Sequence, residues 1–340
     1  MQAAVQFIKM KPSTILTFLI PKSAAAYLTY DANSSFQRTG IKREIYWEQF
    51  AEPVSLASEV ALFRRNVLYR PGEFGPLDAS HQLELELECG AVGMTYHQGH
   101  SMRKQMLIKQ TLKNGDKLKD RKMVERLSKA FANEHKSLLD MSRELNLPPV
   151  SIFRSIIWSR LARHKVHSNQ EKSRIIKSMI YECNMEQINE YLSDWEFEQM
   201  QMAKRNDIVG FAGHDGNTAK DWEDQVLKFL DSHEINFVVE DDLRQSDAKS
   251  TPDCLVLDDL YVNKRPIRWI EVKSFYASGL NDNMYITKKS LFNQVKRYNT
   301  EFGSGAVILK NGFCDVISSK LETTLLLDGG PLSDTTEIFP

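Results

Sequence analysis

The chain has 340 residues, of which 42% are hydrophobic and 26% are charged, and its formal net charge at pH 7 is −1. This composition is typical of a soluble globular protein with two or three domains. No apolar run approaches the roughly 18 residues of a membrane span. The four cysteines stand singly, which argues against a disulfide framework or a zinc knuckle and favours a reducing compartment.

The first 40 residues are predicted to be an irregular N-terminal extension. No acidic residue occurs before Asp31, whereas lysines occur at positions 9, 11 and 22. An acid-poor, basic start is also typical of an organelle transit peptide, but the lack of arginine before Arg38 weakens that interpretation. Import into mitochondria is therefore kept as an alternative. Residues 41–100 mix short helical and strand-like patterns and are left unassigned.

The small net charge hides a basic segment in the middle of the chain. From Arg103 to Arg174 there are 18 Lys and Arg against 7 Asp and Glu, a difference of +11, so the remainder carries −12. A local basic segment predicts contact with a phosphate backbone. Solvated helix faces explain the same charge equally well.

Residues 101–205 are predicted to form a basic helical domain, with a helix-turn-helix at residues 134–163. The stretch "NLPPVS" separates two helical patterns, because proline cannot continue the hydrogen-bond ladder of a helix. The second helix is expected to turn Arg154, Ser155 and Trp158 toward nucleic acid. A plain helical hairpin within a bundle is the alternative. The opposite, apolar face contains Ile152, Phe153, Ile156, Ile157 and Leu161.

Residues 215–340 are predicted to form a second domain, after a linker at residues 210–221 that is rich in Gly, Asn and Asp. From residue 221 the patterns follow the order helix, strand, strand, strand, helix, strand. The three consecutive strands are expected in "NFVVEDDL", "DCLVL" and "IRWIEVKSF", and the second helix in "SLFNQVKRYNTEF". This order predicts a mixed fold of the α+β or α/β class.

Three charged residues lie within the second and third of these strands. If the strands pair antiparallel around a turn centred near Val262, Asp253 lies opposite Glu271, with Cβ atoms roughly 4.5–5.5 Å apart. Lys273 then shares a face with Glu271, because side chains alternate along a strand. Pro252 lacks an N–H, which places Asp253 at the rim of the sheet.

Opposed carboxylates repel each other unless a cation lies between them, and Mg²⁺ prefers oxygen ligands. Glu223 borders the buried side of the first helix, and Gln294 lies on the apolar stripe of the second, so both can point toward the same centre. The alternative is an ion pair of Lys273 with one carboxylate, flanked by two solvated polar residues. We favour the site because the whole set occurs in this order of elements.

The set of residues resembles the PD-(D/E)xK nuclease superfamily. The segments "TPD", "RWIEVKS", "QVKRY" and "FGSGAVILKNGF" are similar to the TPD-motif family, which contains the codanin-interacting nucleases of animals. The resemblance covers about residues 221–313 and extends more weakly over residues 134–163, whereas residues 1–130 show none. Two differences from the animal pattern are a longer N-terminus and "EVK" in place of Glu-Ser-Lys.

The resemblance implies a restriction-endonuclease-like αβββαβ core and a phosphodiesterase that depends on Mg²⁺, with Mn²⁺ as an alternative. In such an enzyme the metal would be held by Asp253, Glu271 and the carbonyl of Val272, with Glu223 binding directly or through water. Lys273 would orient the attacking water or stabilise charge on phosphorus. Gln294, Lys296 and Arg297 would contact water or the phosphate backbone, although the last two are equally well explained as solvated charges.

The same resemblance implies a substrate and partners. DNA is a better expectation than RNA, a codanin-type protein linked to chromatin and erythroid development is the expected protein partner, and a homodimer is one option. The nucleus and cytoplasm are the expected locations. The alternative function is a scaffold or nucleic-acid-binding subunit of a chromatin-related complex, with little or no turnover.

Overall fold

The computed structural model describes residues 36–164, 166, 168–210, 216–281 and 290–332, and the chain folds as a mixed α/β protein. Most of the predicted irregular segment, residues 1–35, lies outside these ranges, and residues 36–40 form neither helix nor strand. Within the described ranges, no helix combines the length and the apolar character that crossing a membrane requires.

Helices α4 to α9 pack around one apolar core, which is separate from the core of the sheet. Helix α6 lies at its centre, because it contacts α4, α5, α7 and α9. Its five predicted apolar residues have no solvent exposure. The bounds of these helices are Arg121–Asn133, Leu138–Leu145, Pro149–Arg163, Asn169–Lys177, Met185–Tyr191 and Asp194–Arg205.

The two helices of the predicted helix-turn-helix are α5 and α6. The Ser137 side chain caps α5 by accepting the N–H of Asp140, and Asn146 ends this helix in the left-handed conformation, with φ of 52°. Helix α6 starts at Pro149, where the missing N–H is no loss. The carboxylate of Asp207, from beyond α9, accepts the N–H of Val150 at 3.0 Å. The start of α6 is therefore capped from a distant part of the chain.

A six-stranded mixed sheet forms the second core in the described residues. Its path runs β1-β3-β4-β5-β6, and β2 pairs with the first part of β3 while β1 pairs with its last part. Strands β3 and β4 are antiparallel, whereas β4, β5 and β6 are parallel to one another. The strands are Lys42–Ile45, Phe237–Val239, Cys254–Val262, Arg265–Lys273, Ala306–Leu309 and Leu325–Leu327.

The predicted strand "NFVVEDDL" is only partly correct. The strand ends at Val239, and residues Glu240–Arg244 form a short helix, α11. The acidic run at this point carries little apolar surface, so it does not continue the half-buried strand. Glu240 instead becomes the first residue of α11.

The turn between β3 and β4 differs from the prediction. It consists of Asn263 and Lys264, with φ of 48° and 65°, and not of residues centred on Val262. Alone, this turn would place Asp253 opposite Ser274. The register shifts between Leu255 and Leu260, however, because β3 contains extra residues there. The shift brings Cys254 opposite Ile270, which restores the predicted register at the start of β3.

Asp258 occupies this irregular part of β3 and has no solvent exposure. Its carboxylate accepts hydrogen bonds from the backbone N–H of Asn236 at 2.9 Å and from the Asn236 side chain at 3.0 Å. It also accepts from the Thr39 hydroxyl. The irregularity of β3 is thus held by segments that lie outside the hairpin.

Helices cover both faces of the sheet. Helix α10 (Gly216–Ser232) packs on one face through Trp222, Val226 and Leu230. Helix α12 (Leu291–Phe302) packs on the other face through its apolar stripe. Helix α13 (Asp315–Lys320) lies between β5 and β6 in the chain.

The segment that the sequence left unassigned contributes to the sheet core. Strand β1 pairs with β3, and helices α1 (Leu56–Arg64), α2 (Ala79–Gly90) and α3 (Tyr96–Asn114) add buried residues to the α12 face. Residues before 110 therefore pack against the same core as residues after 221.

Candidate active site

Asp253, Glu271 and Lys273 come together at one end of the β3–β4 hairpin. The Lys273 ammonium is hydrogen-bonded to Glu271 Oε1 and lies 3.8 Å from Asp253 Oδ2. All three side chains are largely withdrawn from solvent, and the Glu271 side chain is only 3% exposed. The chain thus places two carboxylates around one ammonium.

The strand register explains this arrangement. Cys254 pairs with Ile270 and Leu255 with Trp269, so continuing the ladder by one residue sets Asp253 against Glu271. The backbone N–H of Val272 donates to Asp253 Oδ2 at 2.7 Å. The Asp253 side chain therefore accepts the hydrogen bond that a backbone carbonyl would accept if β3 began earlier.

The carboxylates outnumber the cations at this point. Glu271 Oε2 is buried and lacks a hydrogen-bond partner among the described residues. Burial, together with the charge of Glu271, raises the pKa of Asp253 to about 7, although Lys273 and the Val272 N–H act in the opposite direction. A carboxylate oxygen without a partner among the described residues, beside a carboxylate that resists ionisation, fits a site that binds a cation.

Lys273 remains an ammonium in this environment. Burial alone would lower the pKa of Lys273, but the charges of Glu271, Asp253 and Glu240 raise it above its usual range. Lys273 is therefore suited to stabilise negative charge and poorly suited to accept a proton.

Glu223 lies in α10, close enough for its charge to contribute to the raised pKa of Asp253. Its carboxylate is already engaged with the Lys220 ammonium at 2.9 Å, and its side chain is about a quarter exposed. Glu223 therefore borders the two central carboxylates while keeping a cation of its own.

Helix α12 supplies the remaining predicted residues. Gln294 is half-buried, and none of the described contacts joins its side chain to either carboxylate. Lys296 and Arg297 are exposed, and they precede Tyr298, whose pKa is raised by burial and by the charges of Glu271 and Asp253. The roles assigned to these three residues stay predictions.

The face of α6 that was predicted to contact nucleic acid is partly covered. The Arg154 guanidinium bonds to the Tyr181 hydroxyl and lies 5.4 Å from the centre of that ring. The Ser155 hydroxyl donates to the carbonyl of Ser151 at 3.1 Å. Trp158 is 38% exposed, with the Lys172 ammonium 5.4 Å above its ring. A groove-reading role for this face would require Arg154 to leave its partner.

Two buried or half-buried acids near the site were missed by sequence reasoning. Glu240 acts on Lys273 from the start of α11, and its position in a supposed strand hid it. Glu59, in the unassigned segment, is fully buried and holds the turn that follows β4. It accepts hydrogen bonds from the Tyr276 and Ser278 hydroxyls and from the N–H groups of Gly279 and Leu280, at 2.8–3.1 Å. A lone Glu inside an apolar helix was the only signal.

The donor set suits a hard cation such as Mg²⁺. Among the described residues, no three His, Cys, Asp or Glu side chains are grouped so that they alone could hold a metal ion. Mg²⁺ typically uses only one or two protein carboxylates, with water and phosphate oxygens completing its shell. The backbone of Lys273 faces β5, since its carbonyl accepts the N–H of Lys310 at 2.8 Å. The carbonyl of Val272 consequently faces the Asp253 side and can complete the set.

The fold and the site define a mixed α/β protein with two carboxylates and one ammonium at the rim of its sheet. Residues 193–329 match the family model described as a protein of unknown function with a TPD sequence motif. The predicted resemblance is thereby confirmed, and it extends further in both directions than residues 221–313. No solved structure matches the chain.

Among curated proteins, the chain is similar to uncharacterized protein L539 of Acanthamoeba polyphaga mimivirus, at 21% identity over 86% of this chain and 97% of the viral protein. A match of that extent must reach into residues 1–130, where the sequence showed no resemblance. The chain is also similar to CDAN1-interacting nuclease 1 of Xenopus tropicalis, at 28% identity over 58% of this chain, and of Danio rerio, at 27% over 34%. The matches span 63% and 37% of these two relatives, less than two thirds of each.

Proposed function

We propose that the chain is a metal-dependent nuclease that hydrolyses phosphodiester bonds of DNA. The observation that carries the proposal is the pair of largely buried carboxylates around one ammonium, with Glu271 Oε2 lacking a hydrogen-bond partner among the described residues. The relatives named as nucleases support the same class of activity.

A bound Mg²⁺ would polarise the scissile phosphate and lower the pKa of a water molecule. Asp253, Glu271 and the carbonyl of Val272 would hold it, and Glu223 would reach it directly or through water. The Lys273 ammonium, already beside both central carboxylates, would stabilise the negative charge that grows on the phosphate. Mn²⁺ is an alternative ion, because it also accepts oxygen ligands.

The order of elements supports a restriction-endonuclease-like core. Helix α10, strands β2, β3 and β4, helix α12 and strand β5 follow the predicted αβββαβ order, with α11 inserted after β2. The site lies where β3 begins and β4 ends, at the rim of the sheet. A nucleic acid could therefore approach it without entering the core.

The substrate and partners are further parts of the proposal. Exposed Lys296 and Arg297 on α12 and the basic segment 103–174 favour a polyanion, and DNA is the form proposed. Gln294 would position a water or a phosphate oxygen. The names of the animal relatives include an interaction with CDAN1, from which we propose a codanin-type partner and a location in the nucleus and cytoplasm.

The test is a cleavage screen on labelled duplex, flap and single-stranded DNA with Mg²⁺ or Mn²⁺. We expect metal-dependent cutting by the wild-type chain and its loss in Asp253→Asn, Glu271→Gln and Lys273→Met. The control variant Glu186→Gln, which changes an exposed carboxylate on α8, should cut DNA as the wild type does. Thermal unfolding of each variant separates lost chemistry from lost folding.

Two observations favour a second function. The Lys273 ammonium is hydrogen-bonded to Glu271, and in the described part of the chain no three His, Cys, Asp or Glu side chains are grouped so that they could hold a metal ion. Both features suit a scaffold or nucleic-acid-binding subunit with little turnover. A wild-type chain that binds all three substrates and cuts none with either metal would establish this function and overturn the first.

A further inference from the structure

Thr251, two residues before Asp253, is held from both sides. Its hydroxyl donates to Glu240 Oε1 at 3.2 Å, at the first residue of α11. Its carbonyl accepts the hydroxyl hydrogen of Tyr298 at 3.2 Å, from α12. One residue therefore links the two elements that flank the start of β3.

Both partners of Thr251 are themselves fixed. Glu240 also accepts from Arg244 at 2.7 Å. Tyr298 is 3% exposed and packs edge-on against Trp269, with ring centroids 5.2 Å apart. Trp269 in turn donates its indole N–H to the carbonyl of Gly303 at 2.8 Å. The Tyr298 contact with Thr251 is thus part of the packed core, whereas the Glu240 contact lies nearer the surface, since the Glu240 side chain is 30% exposed.

The position of Thr251 determines the position of Asp253. Only Pro252 lies between them, and its ring limits backbone φ to about −65°. Thr251 and Asp253 are consequently joined by a stiff connection, so a carbonyl fixed at Thr251 sets where the Asp253 carboxylate lies. At its far end Asp253 meets the N–H of Val272.

We propose that Thr251, Glu240 and Tyr298 are positioning residues that hold the Asp253 carboxylate in place for a divalent cation. The proposal rests on the metal site of the proposed function and assigns a role to the first residue of the TPD motif. Threonine suits the position because its hydroxyl donates to Glu240 while its main chain accepts from Tyr298. Valine has the same shape without the hydroxyl, and serine retains the hydroxyl without the methyl.

The test is a titration of the full chain with Mn²⁺ in the absence of DNA, in which binding is measured by calorimetry. Because outer partners of metal ligands typically contribute 10- to 100-fold in affinity, we expect Thr251→Val and Tyr298→Phe each to weaken Mn²⁺ binding by about 10-fold or more. Thr251→Ser should restore most of the affinity. Tyr261→Phe, near the opposite end of β3, is the matched control and should bind as the wild type does.

Thermal unfolding without metal distinguishes positioning from a purely structural role. A structural role would lower the unfolding temperature of Thr251→Val and Tyr298→Phe while leaving the Mn²⁺ affinity of the folded chain unchanged, and that outcome would overturn the inference alone. If Thr251→Val does not fold, Tyr298→Phe, which keeps the ring and loses one oxygen, decides the matter. A wild-type chain that binds no Mn²⁺ would overturn both this inference and the metal site.

Discussion

Replacing Asp253 by Asn should stabilise the metal-free chain while abolishing its response to metal. The wild-type site holds Asp253 and Glu271 against the single ammonium of Lys273. Asparagine removes one negative charge, which leaves Lys273 and Glu271 as a balanced pair. Its amide oxygen can still accept the N–H of Val272, so the change is small in shape.

The magnitude follows from the pKa of Asp253. Burial and the charge of Glu271 raise it from 3.8 to about 7, and each pKa unit corresponds to about 1.36 kcal/mol, so ionisation in the folded chain costs up to about 4 kcal/mol. That pKa already includes the hydrogen bond from Val272, which favours the charged form. We therefore expect the variant to gain up to about 4 kcal/mol at pH 8.

The pH dependence has a defined direction. Because the folded pKa lies above the unfolded value, the penalty of ionising Asp253 is fully present above about pH 7 and fades as the pH falls toward 4. The advantage of Asp253→Asn over the wild type should fade over the same range.

The assay is urea unfolding of both chains between pH 4 and pH 8, with and without Mg²⁺. Mg²⁺ should stabilise the wild type at pH 8 and leave the variant unchanged, because binding to the folded state alone raises stability. A variant that is less stable than the wild type at pH 8 without metal would refute the charge argument. A variant that Mg²⁺ stabilises equally would refute the assignment of Asp253 as a ligand.

Three further predictions address two other buried acids and the exposed charges of α12. Glu59→Gln should lower the free energy of unfolding by about 2–4 kcal/mol, because an amide NH₂ would face donors that the carboxylate now accepts from. Exposed Glu52→Gln is the control and should leave the free energy of unfolding unchanged. A Glu59 variant as stable as the wild type would show that those donors find other partners. The stability of Asp207→Asn relative to the wild type should rise by about 3 kcal/mol as the pH rises from 4 to 7. Burial raises the pKa of Asp207 from 3.8 to about 6, so the ionised form destabilises the wild type above that pH. A difference in the free energy of urea unfolding that does not change with pH would contradict this. Joint replacement of exposed Lys296 and Arg297 by Glu should weaken DNA binding and reduce the magnitude of the slope of log affinity against log salt concentration by about 2. An unchanged slope would exclude both residues from the interface.

Helices α5 and α6 and the helices on the sheet could be predicted because their signals are local. Apolar residues at helical spacing, a capping Ser137 and the break at Pro148 and Pro149 all lie within a few residues of one another. The local signals could not predict whether the outer face of α6 is accessible to nucleic acid. The cover over Arg154 comes from Tyr181, whose position depends on how a later part of the bundle packs.

The convergence of Asp253, Glu271 and Lys273 shows where local reasoning stops. Alternation along β4 placed Glu271 and Lys273 on one face, because the side-chain period of a strand is two. The opposition of Asp253 and Glu271 was predicted from a turn in the wrong place. It holds in the structure only because β3 shifts register before Leu260.

The sequence by itself determined most of the strands and helices between residues 221 and 313, and which charged groups lie on each, although it missed the short helix α11. It could do so because periodicity, turn residues and caps act between neighbours in the chain. The tertiary structure decided the rest: the register at Asp253, held through Asp258 by Asn236 and Thr39, and the burial of Glu59 beneath the turn after β4. Those contacts join residues far apart in the chain, and no local pattern specifies which distant donor a buried carboxylate will meet.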